Sequence, residues 1–98
     1  MLLRHGDLLL KTIETLPKNA KKIHTDTLQE GEVTGHKHRL QGNFEILIQN
    51  NQKFVNAKSQ LELVHEEHNT IQIPIGMYVL VQEREFDIFE QMSQEEND

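Results

Sequence analysis

Four of the six histidines in this sequence stand in two short clusters, Gly35-His36-Lys37-His38 and His65-Glu66-Glu67-His68. Residues i and i+2 of an extended strand point to the same face of a sheet, so His36 and His38 can direct two imidazole rings toward one point. Neutral imidazole is a good ligand for zinc, iron, nickel and copper. The first cluster therefore predicts half of a site for a divalent transition metal.

The second cluster can complete that site in two ways. If a strand continues to Glu67, then His65 and Glu67 share one face, and three histidines and a carboxylate meet. If the chain turns at Glu66 and Glu67 instead, His65 and His68 converge and the site has four histidines. The predicted metal ligands are accordingly His36, His38 and His65, with His68 or Glu67 as the fourth.

The number of protein ligands decides what such a site can do. Three ligands and a water molecule permit Lewis-acid or metal-hydroxide chemistry, with Glu66 or Glu67 as the proton acceptor, whereas four ligands make a structural site. Glu67 is thus the candidate catalytic residue, and the sequence leaves open whether there is an enzyme activity, for which substrate and with which metal. A zinc protease is excluded, because its motif places two histidines at i and i+4 on a helix.

Other interpretations of the histidines stay open. A polar histidine network in a cleft, or solvated surface histidines, would need no metal. A non-enzymatic self-assembly module would place them at the interface of a homo-oligomer, where the apolar residues on both faces of segments 8–10 and 77–81 would be buried. A metal-free phosphodiester-cleaving enzyme would use His36 and either His65 or His68 as acid and base. Convergence within one chain favours the metal site over the assembly module.

Two further candidate binding residues lie near the end of the longest predicted strand, residues 77–86. Gln82 and Arg84 are two positions apart and would lie on the same face of a strand. A guanidinium group binds a carboxylate or a phosphate through two parallel hydrogen bonds, which makes Arg84 a candidate ligand-binding residue together with Gln82. The more common role of such an arginine is an ion pair with a neighbouring glutamate.

The composition excludes several classes of protein. The 98 residues carry 16 acidic against 10 basic side chains and a formal net charge of −6, which argues against a generic binder of nucleic acid. There is no cysteine, so disulfides, thiolate catalysis and cysteine zinc sites are excluded. No apolar run approaches the roughly 18 residues of a membrane helix. Arg4, His5 and Asp7 interrupt the first leucines, which is unlike a signal peptide, and we expect a cytoplasmic protein.

Short apolar runs separated by turn residues predict the elements that position these side chains. Phe44-Glu45-Ile46-Leu47-Ile48-Gln49 alternates with period two, and Asn50-Asn51 supplies a tight turn into a returning strand. About six to eight such strands predict an all-β domain, a small barrel or sandwich, over residues 1–89. Residues 90–98 hold four acids and one large apolar side chain, and we predict a frayed, disordered acidic tail.

A His-x-His on a predicted strand, at His36 and His38, is followed later by a Pro-x-Gly turn at Pro74 and Gly76. This pair of features resembles the cupins, small β-barrels that hold a metal on such residues. The resemblance is partial, because no histidine follows Gly76 and Glu45 stands seven residues after His38. It implies a barrel-like fold and no particular reaction.

Four motifs follow one another along the chain: Gly31-Glu32-Val33-Thr34-Gly35-His36-Lys37-His38, His65-Glu66-Glu67-His68, Ile73-Pro74-Ile75-Gly76-Met77-Tyr78 and Gln82-Glu83-Arg84-Glu85-Phe86. Their succession resembles a group of short, uncharacterised prokaryotic proteins. Members of that group open with a similar Gly-Asp-Leu-Leu-Leu segment. The resemblance implies that these residues form a real domain, and it supplies no mechanism.

Overall fold

Ten short strands make up the part of the chain that the structure describes. The computed structural model describes residues 1–30 and 35–82. The strands are β1 (Leu2–His5), β2 (Leu8–Ile13), β3 (Lys21–Ile23), β4 (Thr27–Glu30), β5 (Lys37–Gln41), β6 (Phe44–Gln49), β7 (Gln52–Ala57), β8 (Leu61–Val64), β9 (Ile71–Ile73) and β10 (Gly76–Gln82). The described residues contain no helix, which confirms the all-β class. None of them therefore belongs to a helix that could cross a membrane.

The strands form two antiparallel sheets that remain open. The larger sheet has the order β1-β2-β10-β7-β6-β3, and the smaller has the order β4-β5-β8-β9. Within the described residues no strand pairing joins an edge of one sheet to an edge of the other. The sheets therefore do not close into a barrel, which was one of the two predicted forms. There are more strands than the six to eight expected, because β3 and β9 have three residues each and are too short to show an alternating pattern.

The two sheets share a single hydrophobic core. Leucine, isoleucine and valine dominate it, and Tyr78 is its one fully buried aromatic side chain among the described residues. The hydroxyl of Tyr78 donates a hydrogen bond of 2.7 Å to the carbonyl oxygen of Pro74, which satisfies the polar end of a buried ring. The core members come from both sheets: Leu8, Leu10, Ile46, Val55, Ala57 and Tyr78 from the larger, and Leu28, Leu40, Leu61, Leu63 and Ile73 from the smaller.

The apolar faces that suggested an assembly surface are covered within one chain at residues 8–10 and only in part at residues 77–81. Leu8, Leu9 and Leu10 are all fully buried, although consecutive strand residues point to opposite faces. Val79 and Tyr78 are likewise both buried. Met77, Leu80 and Val81 are only half-buried, so segment 77–81 keeps some exposed apolar area, and homo-oligomerisation stays a prediction.

Strand pairing brings the histidine-bearing segments to one end of the sandwich. β5 pairs with β8, with Arg39 opposite Val64, and it also pairs with β4, with His38 opposite Gln29. The segments just before β5 and just after β8 therefore lie side by side. The turn between β1 and β2 reaches the same end, as the side-chain contacts of His5 described below establish.

Candidate metal centre

The two predicted histidine clusters converge within one chain. The ring centroids of His38 and His65 are 4.2 Å apart, and those of His36 and His65 are 5.7 Å apart. His65 therefore lies beside both histidines of the first cluster. The cause is the antiparallel register of β5 and β8: its last pair is Arg39 and Val64, and the residues next to that pair are His38 and His65.

The chain turns after β8, which is the second of the two predicted arrangements. β8 ends at Val64. The backbone N–H of Glu67 donates a hydrogen bond of 3.0 Å to Nδ1 of His65, which closes the turn. The rings of His65 and His68 consequently converge, with centroids 4.6 Å apart. All four predicted histidine ligands are thus in one cluster.

A fifth histidine joins the cluster from the larger sheet. His5 ends β1, and its ring centroid lies 5.0 Å from that of His38 and 5.6 Å from that of His68. Both His5 and His38 are only 3 % exposed. Sequence reasoning missed His5, because it stands alone before a Gly-Asp turn and no spacing relates it to the other clusters. Only the packing of one sheet against the other brings it there.

A chain of hydrogen bonds determines which nitrogen of each buried ring carries the proton. His5 Nε2 lies 2.7 Å from the carbonyl oxygen of Asn69, which can only accept, so His5 Nε2 carries a hydrogen. Burial lowers the pKa of His5, so the ring is neutral at pH 7 and its Nδ1 is an acceptor. Nδ1 of His38 lies 3.0 Å from that atom and must therefore be the donor. The neutral His38 ring then has its lone pair on Nε2.

The second buried ring is also uncharged at neutral pH. Burial, with the neighbouring rings of His65 and His5 as smaller contributions, lowers the pKa of His38 to about 4, and the carboxylate of Asp7 opposes this only in part. His38 Nε2 consequently accepts hydrogen bonds and does not donate them.

Two acceptor atoms face each other across a gap at this point. His38 Nε2 lies 3.5 Å from Oδ1 of Asp7, whose carboxylate also offers only acceptors. The amide nitrogen of Gln29 donates to the other carboxylate oxygen of Asp7 at 3.4 Å and so helps to orient it. Tetrahedral zinc, with bonds of about 2.0–2.2 Å, separates two ligand atoms by about 3.3–3.6 Å. The gap therefore has the width that an ion bridging these two atoms requires.

A second histidine is oriented by a carboxylate. His36 Nδ1 lies 3.0 Å from Oε1 of Glu67, so Nδ1 is the donor and a neutral ring has its lone pair on Nε2. Metal-binding histidines commonly donate their other N–H to a carboxylate in this way. Glu67, predicted as a fourth ligand or proton acceptor, here contacts a candidate ligand.

Glu66 forms a further group of possible ligands with two of the histidines. One ligand atom from each of His36, His65 and Glu66 lies within 4.8 Å of the others. Hydrogen bonds from the backbone N–H groups of Glu66 itself and of Lys37 lower the pKa of this exposed carboxyl. The Glu66 carboxylate also accepts from Nη2 of Arg39 at 3.4 Å.

The cluster opens into a small recess. Its volume is about 170 Å³, enough for a metal ion and several water molecules. Among the described residues no hydrogen-bond partner is found for the buried Oε1 of Gln29. The recess is lined by Asp7, Gln29, His36, His38, His65, Glu67 and His68.

The remaining predictions from the sequence fall at or beyond the end of the described chain. Gln82 is the last residue of β10, where it stands opposite Leu8. Arg84 lies outside the described residues, as does the predicted acidic tail, residues 90–98. Their predicted roles stay predictions.

The chain belongs to a family described as "Domain of unknown function (DUF8820)", whose model matches residues 4–83. This match agrees with the predicted resemblance to an uncharacterised group of proteins, and the cupin resemblance gains no support from it. A search of curated proteins and a search of solved structures each returned no match.

The lowered pKa of His38 makes the stability of the metal-free protein increase with pH. Its pKa is about 4 in the folded chain against 6.5 in the unfolded chain, so the unfolded chain binds more protons between these values. The stability that the neutral His38 contributes is fully present above the pKa of the unfolded chain. It is lost as the pH falls toward the pKa of the folded chain. Between about pH 7 and about pH 5, this residue lowers the free energy of unfolding by about 2 kcal/mol.

Urea unfolding with a chelator present measures this effect in the wild type and in His38→Gln. Between about pH 7 and about pH 5, we expect the free energy of unfolding to fall by about 2 kcal/mol less in His38→Gln than in the wild type. His24→Gln, which changes an exposed histidine, should show the same fall as the wild type. An identical pH dependence in His38→Gln and the wild type would show that His38 is not held neutral by burial.

Proposed function

We propose that this member of the DUF8820 family binds a divalent transition metal ion, with zinc as the first candidate, at the histidine cluster. The observation that supports this most strongly is the pair of acceptor atoms, His38 Nε2 and Asp7 Oδ1, 3.5 Å apart. Two lone pairs that face each other repel, and a cation between them converts the repulsion into two bonds. A water molecule that donates to both atoms is the competing occupant, and metal analysis distinguishes the two.

The other donors around the recess suit the same class of ion. Imidazole nitrogen binds zinc, copper, iron and nickel, and a carboxylate oxygen is an ordinary zinc ligand. His36, His65 and His68 surround the gap between His38 and Asp7. Because a metal ligand must be deprotonated, the low pKa of His38 means that its nitrogen is ready to bind at neutral pH.

Catalysis depends on how many of these donors bind the ion. An ion with three protein ligands keeps a water molecule, whose pKa it lowers, and the chemistry is then metal-assisted hydrolysis. Glu67, whose Oε1 contacts His36, would accept a proton from that water on its other carboxylate oxygen. The alternative, a self-assembly module with interfacial histidines, is less well supported, because the histidines converge within one chain. A cytoplasmic location remains part of this proposal.

Removal of two ligands should abolish metal uptake without unfolding the chain. We expect purified wild type to retain at least about one zinc per chain after dialysis, and His36→Ala with His38→Ala to retain less than about 0.1. His24→Ala is the matched control, because this exposed histidine lies outside the recess. Elemental analysis gives the ratio, and circular dichroism checks that each protein remains β-rich. Equal metal content in all three proteins would refute the proposed site.

The glycine beside His68 provides a second test. Gly6 has φ +64°, and a methyl group built on it would lie 2.8 Å from Cδ2 of the His68 ring and closer to its Nε2. Gly35 has a similar φ of +71°, but a methyl group there would meet nothing within 4 Å. Both alanine variants therefore carry comparable backbone strain, and only Gly6→Ala displaces a histidine of the cluster.

We expect Gly6→Ala to weaken zinc binding by about tenfold or more, the size of effect typical of displaced metal-site groups, and Gly35→Ala to leave it unchanged. Competition with a chromogenic chelator measures both affinities. Equal affinities in the two variants would show that the position of His68 has no bearing on metal binding.

A further inference from the structure

The possible ligands around the recess fall into two groups, and each has its own orienting contacts. The inner group consists of His38 and Asp7. Nδ1 of His5 accepts the hydrogen bond that His38 Nδ1 donates. The side-chain amide of Gln29 donates a hydrogen bond to Oδ2 of Asp7, the carboxylate oxygen farther from His38. These contacts direct both ligand atoms into the same gap.

The outer group consists of His36, His65 and Glu66, whose ligand atoms lie within 4.8 Å of one another. Glu67 accepts the proton on His36 Nδ1 and so orients this ring, as a carboxylate beside a metal-binding histidine commonly does. The backbone N–H of Lys37 donates to Oε2 of Glu66 at 3.0 Å and holds that carboxylate beside the histidines. Each group includes an exposed carboxylate, Asp7 at 65 % and Glu66 at 39 % side-chain exposure, which can move toward an ion.

From this division we infer that the cluster binds two divalent metal ions side by side, an inference that rests on the proposed metal-binding function. A tetrahedral ion takes four ligands, and these two groups together with His68 supply six. The groups are adjacent, because the rings of His38 and His65 are 4.2 Å apart between centroids. Pairs of catalytic metal ions lie about 3.5–4 Å apart in proteins, so two ions share a cluster only where their ligand groups adjoin, as these two groups do.

The position of His68 and the local charge suit two ions. The His68 ring lies 4.6 Å from that of His65 and 6.0 Å from that of His38, so it borders both groups. Asp7 and Glu67 line the recess and Glu66 lies beside His36 and His65, so three carboxylates would offset much of the charge of two divalent ions. At the outer position His65 exchanges one neutral hydrogen bond, from the Glu67 N–H to its Nδ1, for a metal bond.

Single carboxylate variants test the two positions separately. The proteins are saturated with zinc, dialysed against zinc-buffered solution and analysed for metal and protein. We expect two zinc ions per wild-type chain and one each in Asp7→Asn and Glu66→Gln, because each variant removes a charged ligand from one group. Glu62→Gln is the matched control, since this exposed acid lies on β8 outside the recess, and it should keep two.

The outcomes separate this inference from the proposal on which it rests. One zinc per wild-type chain would overturn the second ion and leave the metal-binding function standing, whereas no zinc would overturn both. Two ions retained in either carboxylate variant would overturn the assignment of the two groups. If a variant does not fold, titration of the unaltered chain with Co²⁺ decides: two adjacent ions couple magnetically as the second one binds, and a signal that saturates at one ion overturns the pair.

Discussion

The hydrogen bond between the Nδ1 atoms of His5 and His38, 3.0 Å long, is the contact on which the chemistry of this protein depends. Two imidazoles that are 3 % exposed need hydrogen-bond partners, and each ring supplies one to the other. The carbonyl oxygen of Asn69 accepts a hydrogen bond from Nε2 of His5, which determines that His38 is the donor in the pair. As a result the remaining lone pair of His38 is on Nε2, 3.5 Å from Oδ1 of Asp7, and this polar contact between two sheets prepares half of the proposed metal site.

The fold suits this arrangement because it supplies rigid strand ends at one place. His5 ends β1 of the larger sheet, His38 lies in β5 of the smaller, and His65 follows β8 directly. Exposure increases outward from the buried His5 and His38 to the exposed His68. His5, which orients the His38 ring, is therefore kept from water, whereas the candidate ligands His36, His38, His65 and His68 border the recess. An ion bound there would link both sheets, so the proposed metal binding would also stabilise the sandwich.

Local patterns predicted those parts of the site that depend on neighbours in the sequence. The i, i+2 spacing of His36 and His38, the strand Phe44–Gln49 and the positive φ of Asn50 and Asn51 all follow from short-range geometry. His5 and Asp7 were missed, because they join the cluster only through the packing of the larger sheet on the smaller. The barrel was wrongly allowed for the same reason: alternation identifies a strand, but it does not determine which strand lies beside it.

The most direct test of this account is ¹⁵N NMR of the histidine rings in metal-free protein at neutral pH. The chemical shifts of Nδ1 and Nε2 report which nitrogen carries the proton. We expect His38 to be protonated on Nδ1 alone and His5 on Nε2 alone, so that His38 Nε2 has its lone pair beside Asp7. A proton on Nε2 of His38, in either a neutral or a charged ring, would contradict the account, because the gap to Asp7 would then be an ordinary hydrogen bond.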